Sequence, residues 1–249
     1  MIRRRLVCLI LVAYGVLPVA VVFGDAAAAE TPLRVLVTYG GHRFQNEPFF
    51  AMFDAMPGVT YNKASLPDSA GLLKPGLEND IDVIVMYDMI GKIAPEQQKA
   101  FVALLNRGIG LVSLHHNMGA HRDWPEFRRI IGGQFVFKPM EIEGEQHGKS
   151  TWAHGQELRV TIADQEHPIT RGLSDFTIHD ETYGNYYTSP DVKVLMTTDN
   201  PKNDPEIAWV KNYGKSRVFY FMLGHDSRAW QNPAYPEIVH RAIRWSAGR

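Results

Sequence analysis

Short apolar runs alternate with amphipathic segments along most of this chain, and that order constrains the fold more than any other feature. The runs Leu33–Tyr39, Asp82–Tyr87 and Ile109–Leu114 have the length and β-branched content of buried strands. The clearest amphipathic segment between them covers residues 94–108. Because strands that alternate with helices pair in parallel and are covered on both faces, the sequence predicts an α/β sandwich with a mainly parallel sheet.

The remaining elements are expected from the same patterns. Helices are predicted at residues 47–56, with Asn46 as N-cap, at residues 124–131 and at residues 233–246. A long polar loop is predicted at residues 138–155, which includes His147 and His154. Further strands are predicted at residues 59–63, 158–162, 192–198, 206–212 and 216–223, the last two joined by a hairpin turn.

The N-terminus has the pattern of an export signal. Three arginines at positions 3–5 precede an apolar run, Leu6–Phe23, and three alanines at positions 27–29 form a cleavage site. The sequence therefore predicts a signal peptide over residues 1–29 and a single domain over residues 30–249, in a periplasmic or secreted protein. An uncleaved membrane anchor is the alternative, because the run is just long enough to span a bilayer. We expect no other membrane segment.

Cysteine content and charge exclude several classes of protein. Cys8 is the only cysteine and lies in the predicted signal, so the mature chain has no disulfide, thiolate metal site or cysteine nucleophile. Lys and Arg number 26 against 27 Asp and Glu, with no basic patch, which argues against a nucleic-acid partner. We expect no nucleotide cofactor, and the oligomeric state stays open.

Four predicted strands end in imidazoles or carboxylates. Because ligands of an open parallel sheet bind outside the carboxyl ends of its strands, side chains at these ends are candidates for one site. A single histidine at a strand end is more often structural, so it is the recurrence that favours a site. His121, which follows in the loop, is expected to be exposed to solvent. The candidates are His42, Asp88, His115, His116, His225 and Asp226.

A second polar cluster lies at residues 167–187, where Asp180 and Glu181 are adjacent and tyrosines follow. Neighbouring side chains of a strand face opposite ways, so only one of these carboxylates is expected to enter any one pocket. We favour Glu181. The alternative is that both are solvated loop charges.

Four stretches, in this order, resemble the motifs of the ThuA-like (trehalose-utilisation) family: GIGLVSLHH, WPEFRRIIGGQF, HPITRGLSDFTIHDETY and EIAWVKNYGKSRVFYFMLGHDSRAW. The resemblance spans Leu33–Trp245. That family is similar in fold to the class I glutamine amidotransferases, which implies a flavodoxin-like three-layer sandwich. The turn that usually carries the amidotransferase cysteine reads LHHN here, so thiol-dependent glutamine hydrolysis is excluded.

The resemblance also implies site residues. They are the residues on the recurrent positions of the family, namely His115, Asp180, Glu181, Tyr183, His225 and Asp226. This chain departs from the family at His116, where a small residue is common, and at Lys138, where a histidine is expected after GGQF.

The family's link to disaccharide use implies a carbohydrate substrate, including a sugar that an upstream sugar dehydrogenase has oxidised to a 3-keto form. A ketone at C3 acidifies the hydrogen at C2, so hydrolysis, elimination or isomerisation would need a base, an acid and a group that stabilises the enolate oxygen. We assign catalysis to His115, His116, Glu181, His225 and Asp226. We assign substrate binding to Gly41, His42, Asp88, Asp180, Tyr183 and Trp230.

A divalent metal ion is a candidate for the enolate-stabilising group, with His115, Glu181 and His225 as its ligands. Two imidazoles and one carboxylate match zinc best, and manganese is the alternative. Which histidine acts as base and which as ligand stays open. Two other functions stay open as well: direct hydrolysis of an unmodified glycoside by two carboxylates, and non-catalytic sugar binding.

Overall fold

The computed structural model describes residues 31–249, so the predicted signal peptide at residues 1–29 lies outside the described residues. The strands are β1 (Leu33–Gly40), β2 (Val59–Ser65), β3 (Val83–Asp88), β4 (Gly110–Leu114), β5 (Gly133–Gln134), β6 (Met140–Ile142), β7 (Glu145–His147), β8 (Thr151–Ile162), β9 (Phe176–Gly184), β10 (Tyr187–Thr188), β11 (Lys193–Thr198), β12 (Glu206–Tyr213) and β13 (Ser216–Phe221). The α-helices are α1 (Asn46–Asp54), α2 (Pro95–Leu105), α3 (Pro125–Ile131), α4 (Ser227–Trp230) and α5 (Ala234–Ser246).

A nine-stranded sheet organises these elements in the order β2-β1-β3-β4-β13-β12-β11-β8-β9. Strands β2, β1, β3, β4 and β13 run parallel to their neighbours in this order. From β13 to β9 each strand runs antiparallel to the next. The predicted α/β sandwich is confirmed, and the antiparallel half follows from short connections such as the β12–β13 hairpin, which cannot join parallel strands.

The core is densest around β3 and β4, in which every residue is buried. Helix α5 packs against β3, β4 and β13 through one apolar face, and α3 packs against β12 and β13. Residues Thr31–Arg249 form one compact unit. None of the helices in this part of the chain is both long and apolar enough to cross a bilayer.

The predicted polar loop at residues 138–155 is wrong. Strands β6 and β7 form a hairpin there, and β8 begins at Thr151, well before the predicted strand at residues 158–162. Strand β7 and the first half of β8 expose most of their side chains, and β6 is only three residues long, so no sustained alternation of apolar and polar residues marks these segments.

The predicted N-cap of α1 is also wrong. Asn46 is the first helical residue, and its side chain donates to the carbonyl oxygen of Phe44 at 3.2 Å. Gln45 occupies the cap position without a side-chain cap. Two other helix ends follow their sequence signals: α2 begins at Pro95, and Gly132, with a φ of 75°, caps the C-terminus of α3. Helix α2 ends at Leu105, before the predicted end of this segment at Gly108.

Candidate active site at the carboxyl ends of β4 and β13

His115 occupies the sharp turn that directly follows β4. Its backbone has a φ of 48°, in the left-handed region that non-glycine residues seldom adopt. Its buried Nδ1 lies 2.7 Å from the carbonyl oxygen of Met222. Because a carbonyl can only accept, Nδ1 carries the proton of the neutral ring, and Nε2 is left with a free lone pair.

Three ligand atoms converge at this turn. His115 Nε2 lies 3.1 Å from Glu181 Oε2, and His225 Nδ1 lies 3.2 Å from the same oxygen. The two imidazole nitrogens are 3.3 Å apart. All three atoms lie within 4.8 Å of one another, so they would form a compact ligand set for a metal ion.

Glu181 and His225 influence each other's proton affinity. Burial alone would raise the pKa of Glu181, but hydrogen bonds from His115 and His225 in their protonated forms, together with the charges of those rings, outweigh it and hold that pKa well below its ordinary value. The hydrogen bond to Glu181 raises the pKa of His225, against the opposing effect of burial. Glu181 is therefore an anion, and its charge attracts either a proton or a metal cation.

Asp180 faces the other side of β9, as alternation along a strand requires. It is buried and accepts hydrogen bonds from the backbone amides of Gly224 at 2.6 Å and His225 at 2.9 Å. The predicted contact of Asp180 with substrate is therefore corrected: the carboxylate fixes the loop after β13 that carries His225.

His154 is a site residue that the sequence interpretation missed. Its Nδ1 lies 3.0 Å from Glu181 Oε1, while its side chain is 61% exposed. The pairing of β8 with β9 shifts between Ala153 and Gln156, so His154 and Gly155 together stand opposite Glu181. Such a bulge cannot be recognised without knowing the partner strand. Lys138, at the position where the family has a histidine, is exposed and does not line the cavity beside Glu181.

His116 and His42 form a second pair of imidazoles near the first. His116 Nε2 lies 3.0 Å from the carbonyl oxygen of Tyr87, so this nitrogen carries the proton. Burial lowers the pKa of His116 well below its ordinary value, so the ring is neutral. Its Nδ1 has no hydrogen-bond partner among the described residues. The His42 ring lies 4.7 Å from the His116 ring.

A cavity of about 240 Å³ opens beside these groups. That volume far exceeds the space of a single water molecule, so the cavity can hold a ligand. His115 and His225 lie behind Glu181 and do not line it themselves. Tyr183 links the two regions, because its hydroxyl oxygen lies 3.1 Å from His115 Nε2. The lining residues are His42, Met89, His116, Gly119, Phe135, Phe137, Trp152, His154, Glu181 and Tyr183.

Two residues predicted to bind substrate are instead buried outside the cavity. Asp88 accepts a hydrogen bond from Thr38 at 2.7 Å, and burial raises its pKa to about 6. Trp230 donates from Nε1 to the carbonyl oxygen of Gly224 at 2.9 Å and belongs to the core. The expectation that these two side chains face substrate is corrected, since a strand or helix end can turn its side chain inward.

Gly41 and Asp226 also have structural contacts rather than cavity contacts. A Cβ on Gly41, whose φ is 73°, would approach the Met89 carbonyl oxygen to 2.5 Å, so the position requires glycine for a tight turn. Asp226 caps α4 by accepting from the Arg228 amide at 2.9 Å. Asp226 lies outside the cavity lining, and its assignment to catalysis stays a prediction.

His121 is buried, contrary to the prediction that it is exposed. Its ring packs 4.5 Å from that of Phe127, and its Nε2 lies 3.9 Å from Asp88 Oδ2. Burial lowers the pKa of His121 to about 4. This histidine belongs to the interior beneath the site.

The class I glutamine amidotransferase-like proteins share a flavodoxin-like α/β sheet and a sharp turn after the central strand. This chain has both features, with His115 in the turn where an amidotransferase has its cysteine nucleophile. Residues 34–246 match the ThuA family, described as trehalose utilisation. The chain therefore belongs to the ThuA family, and this membership implies a role in carbohydrate utilisation. Among curated proteins, no sequence matches it.

Solved structures agree with this classification. A ThuA-like protein from Parabacteroides merdae has a TM-score of 0.72 at 19% identity, covering 87% of this chain and 90% of its own. A ThuA-like protein from Bacteroides uniformis has a TM-score of 0.67 at 20% identity, covering 90% and 95%. PurLQS from Thermotoga maritima has a TM-score of 0.56 at 13% identity, covering 86% and 99%. At these identities the similarity concerns the fold alone.

Proposed function

We infer that this protein is an exported, metal-assisted enzyme that acts on a sugar or glycoside, with a 3-keto sugar as the substrate class. The observation that carries the proposal is the convergence of His115 Nε2, His225 Nδ1 and Glu181 Oε2 beside a cavity. Membership of a family described as trehalose utilisation supports the carbohydrate substrate, which an upstream sugar dehydrogenase would oxidise.

The three atoms suit a divalent metal ion by their chemistry. The Met222 carbonyl keeps the proton of His115 on Nδ1, so Nε2 has its lone pair available for a metal. Two imidazoles and a carboxylate leave open coordination positions, which is the usual arrangement of catalytic zinc. A bound metal would supply a Lewis acid for a carbonyl or enolate oxygen.

Residues outside that set would bind the sugar and move the proton. His154 lines the cavity, is exposed and contacts Oε1 of Glu181 rather than the inner oxygen, so it is the imidazole placed to take a proton from a substrate carbon. His116 offers a neutral acceptor for a hydroxyl group. Burial raises the pKa of Tyr183 well above its ordinary value, so its phenol stays a donor for a developing oxyanion.

Metal content of the purified chain, free of any histidine tag, tests the proposal. We expect near-stoichiometric zinc in the native protein and its loss in the His115→Ala, His225→Ala double variant. The matched control is His147→Ala with His240→Ala, two histidines away from the cavity, which should retain the metal. A native protein that binds no divalent metal even when it is supplied would overturn the assignment.

Direct glycoside hydrolysis by two carboxylates is not favoured by the geometry. Within residues 31–249, Glu181 is the only carboxylate that lines the cavity. Asp180 is turned away by the strand, and Asp88 is buried against Thr38. A pair of acids flanking a glycosidic bond is therefore missing from the described lining. The variant His154→Gln distinguishes an enzyme from a non-catalytic sugar-binding protein. In an enzyme it should abolish turnover of a 3-keto glycoside while leaving the binding of that glycoside intact.

A further inference from the structure

The cavity has two chemically different walls. Imidazoles and the Glu181 carboxylate line one wall, and Met89, Phe135, Phe137 and Trp152 line the other. None of those four side chains offers a conventional hydrogen-bond group to the interior except the indole N–H of Trp152. A ligand that fills the cavity therefore meets polar groups on the imidazoles and Glu181 and an apolar surface on these four side chains.

The apolar wall is a trough rather than a flat platform. The Phe135 ring is tilted by 55° to both Phe137 and Trp152, and by 71° to Tyr183. A sugar ring stacks best on one flat aromatic face, because its hydroxyl groups project from its rim and need partners there. Rings tilted around a trough would surround that rim with carbon and leave the hydroxyl groups without partners. The trough instead suits a substituent that is apolar on all sides.

Trp152 marks the open end of the trough. Its side chain is 51% exposed, and within residues 31–249 only Leu72, at 49%, is a comparably exposed large hydrophobic residue. Trp152 pairs with Tyr183 across β8 and β9, and Tyr183 stacks on His115 at 5.0 Å. The trough therefore lies next to the imidazole of His115, with Tyr183 between them. A leaving group of a substrate bound at the site could occupy the trough.

We propose that this trough is a subsite for an aromatic substituent, so that the substrate is an aryl glycoside or its keto derivative rather than a disaccharide. The sugar half of this statement rests on the proposed function, whereas the aromatic half rests on the trough alone. An apolar ring in the trough would cover Trp152 and Phe137 and displace water from their faces.

The first test uses an aromatic probe without any sugar. Binding of 4-fluorophenol to the native protein is followed by ¹⁹F NMR line broadening, together with the Trp152→Ala and Leu72→Ala variants. We expect saturable binding to the native protein and to Leu72→Ala, and about tenfold weaker binding to Trp152→Ala. Thermal melting confirms that each variant is folded. No saturable binding, or binding unchanged in Trp152→Ala, overturns the proposal.

The second test compares phenyl and methyl β-glucosides by calorimetry. A phenyl glucoside that binds about tenfold more tightly than the methyl glucoside, with the difference lost in Trp152→Ala, supports the complete proposal. Equal affinities overturn the aryl assignment without affecting the metal site. A protein that binds 4-fluorophenol through Trp152 but neither glucoside retains the aromatic subsite and loses the glucoside as its sugar.

Discussion

Glu181 is the carboxylate on which the imidazoles of His115, His154 and His225 converge. It is buried, and a buried carboxylate is stable as an anion only when partners replace its lost hydration. The three imidazoles are those partners, and each contacts one of the two carboxylate oxygens of Glu181. Oε2 faces His115 and His225, whereas Oε1 faces the exposed His154, so one side chain separates the two inner imidazoles from the exposed one.

The first prediction concerns the proton on His225. Glu181→Gln in the metal-free protein should lower the pKa of His225, because glutamine removes the charge and the hydrogen bond that raise it. NMR titration of the His225 imidazole measures the change. Asp226→Asn, which neutralises a carboxylate paired with Arg228, is the matched control and should shift that pKa less. A His225 pKa that stays the same in Glu181→Gln contradicts the assignment.

The second prediction concerns Asp180, whose carboxylate accepts from two backbone amides of the loop after β13. Asp180→Asn turns an amide donor toward one of these N–H groups, so we expect a loss of about 1–3 kcal/mol in the free energy of unfolding. Urea denaturation of the metal-free protein measures it. Asp226→Asn on the same loop should cost less, and the opposite ranking would show that Asp180 is dispensable for this loop.

The β8–β9 pair is the element that completes the site. Leu158, Val160 and Ile162 are buried on the core side of β8, and a regular period of two would place His154 on their face. The extra residue, Gly155, has a φ of 65° and inverts the alternation, so His154 faces Glu181 instead. One glycine thus decides which side of the sheet receives this imidazole.

Deleting Gly155 provides the third prediction. Burial of Leu158 and Val160 anchors the core half of β8, so the deletion should turn His154 away from Glu181. A crystal structure of the variant measures the distance between His154 Nδ1 and Glu181 Oε1, which is 3.0 Å in the native chain. Gly155→Asn keeps the strand length, and asparagine adopts the left-handed region more readily than other side chains, so this variant is the control that should retain the contact. Retention of the contact in the deletion variant would contradict this account of the bulge.

At the scale of the whole molecule, the site joins the parallel and antiparallel halves of the sheet. His115 follows β4 and His225 follows β13, while Glu181 and His154 come from β9 and β8 at the antiparallel end. Beneath them, Asp88 and His121 form a buried pair with Nε2 and Oδ2 3.9 Å apart. Burial raises the pKa of Asp88 to about 6 and lowers that of His121 to about 4.

The fourth prediction follows from the opposite signs of these two shifts. Folded Asp88 holds its proton above the ordinary carboxyl pKa of 3.8, so its contribution to stability falls as pH rises from there to about 6. Folded His121 lacks a proton that the unfolded chain binds below 6.5, so its contribution rises with pH between about 4 and 6.5. In the native protein the two contributions oppose each other.

Asp88→Asn removes the first contribution and can keep the hydrogen bond with Thr38. Its free energy of unfolding should therefore rise more steeply with pH between about 4 and 6 than that of the native protein. Urea denaturation across this range measures both slopes. Asp191→Asn, an exposed carboxylate paired with Lys211, is the control that leaves the buried pair intact. Equal slopes in Asp88→Asn and native protein would contradict the opposed titrations.

The sequence by itself determined the sheet-and-helix order, the position of His115 at a strand end and the expectation that only one of Asp180 and Glu181 enters the pocket. These three features depend on the local spacing of apolar and polar residues, which can be recognised in one segment without knowing which segments pack against it. The short strands β6 and β7 and the exposed first half of β8 could not be predicted, because no sustained apolar alternation marks them.

Only the tertiary structure decided which polar side chains meet. His115 and His225 are 110 residues apart in sequence and come together because β4 and β13 are neighbours. Asp88 and Trp230 turn into the interior, although their positions at element ends resemble those of the site residues. His154 enters the site through the register of β8 on β9. Strand order and register arise from packing between distant segments, so the pattern of any one segment does not contain them.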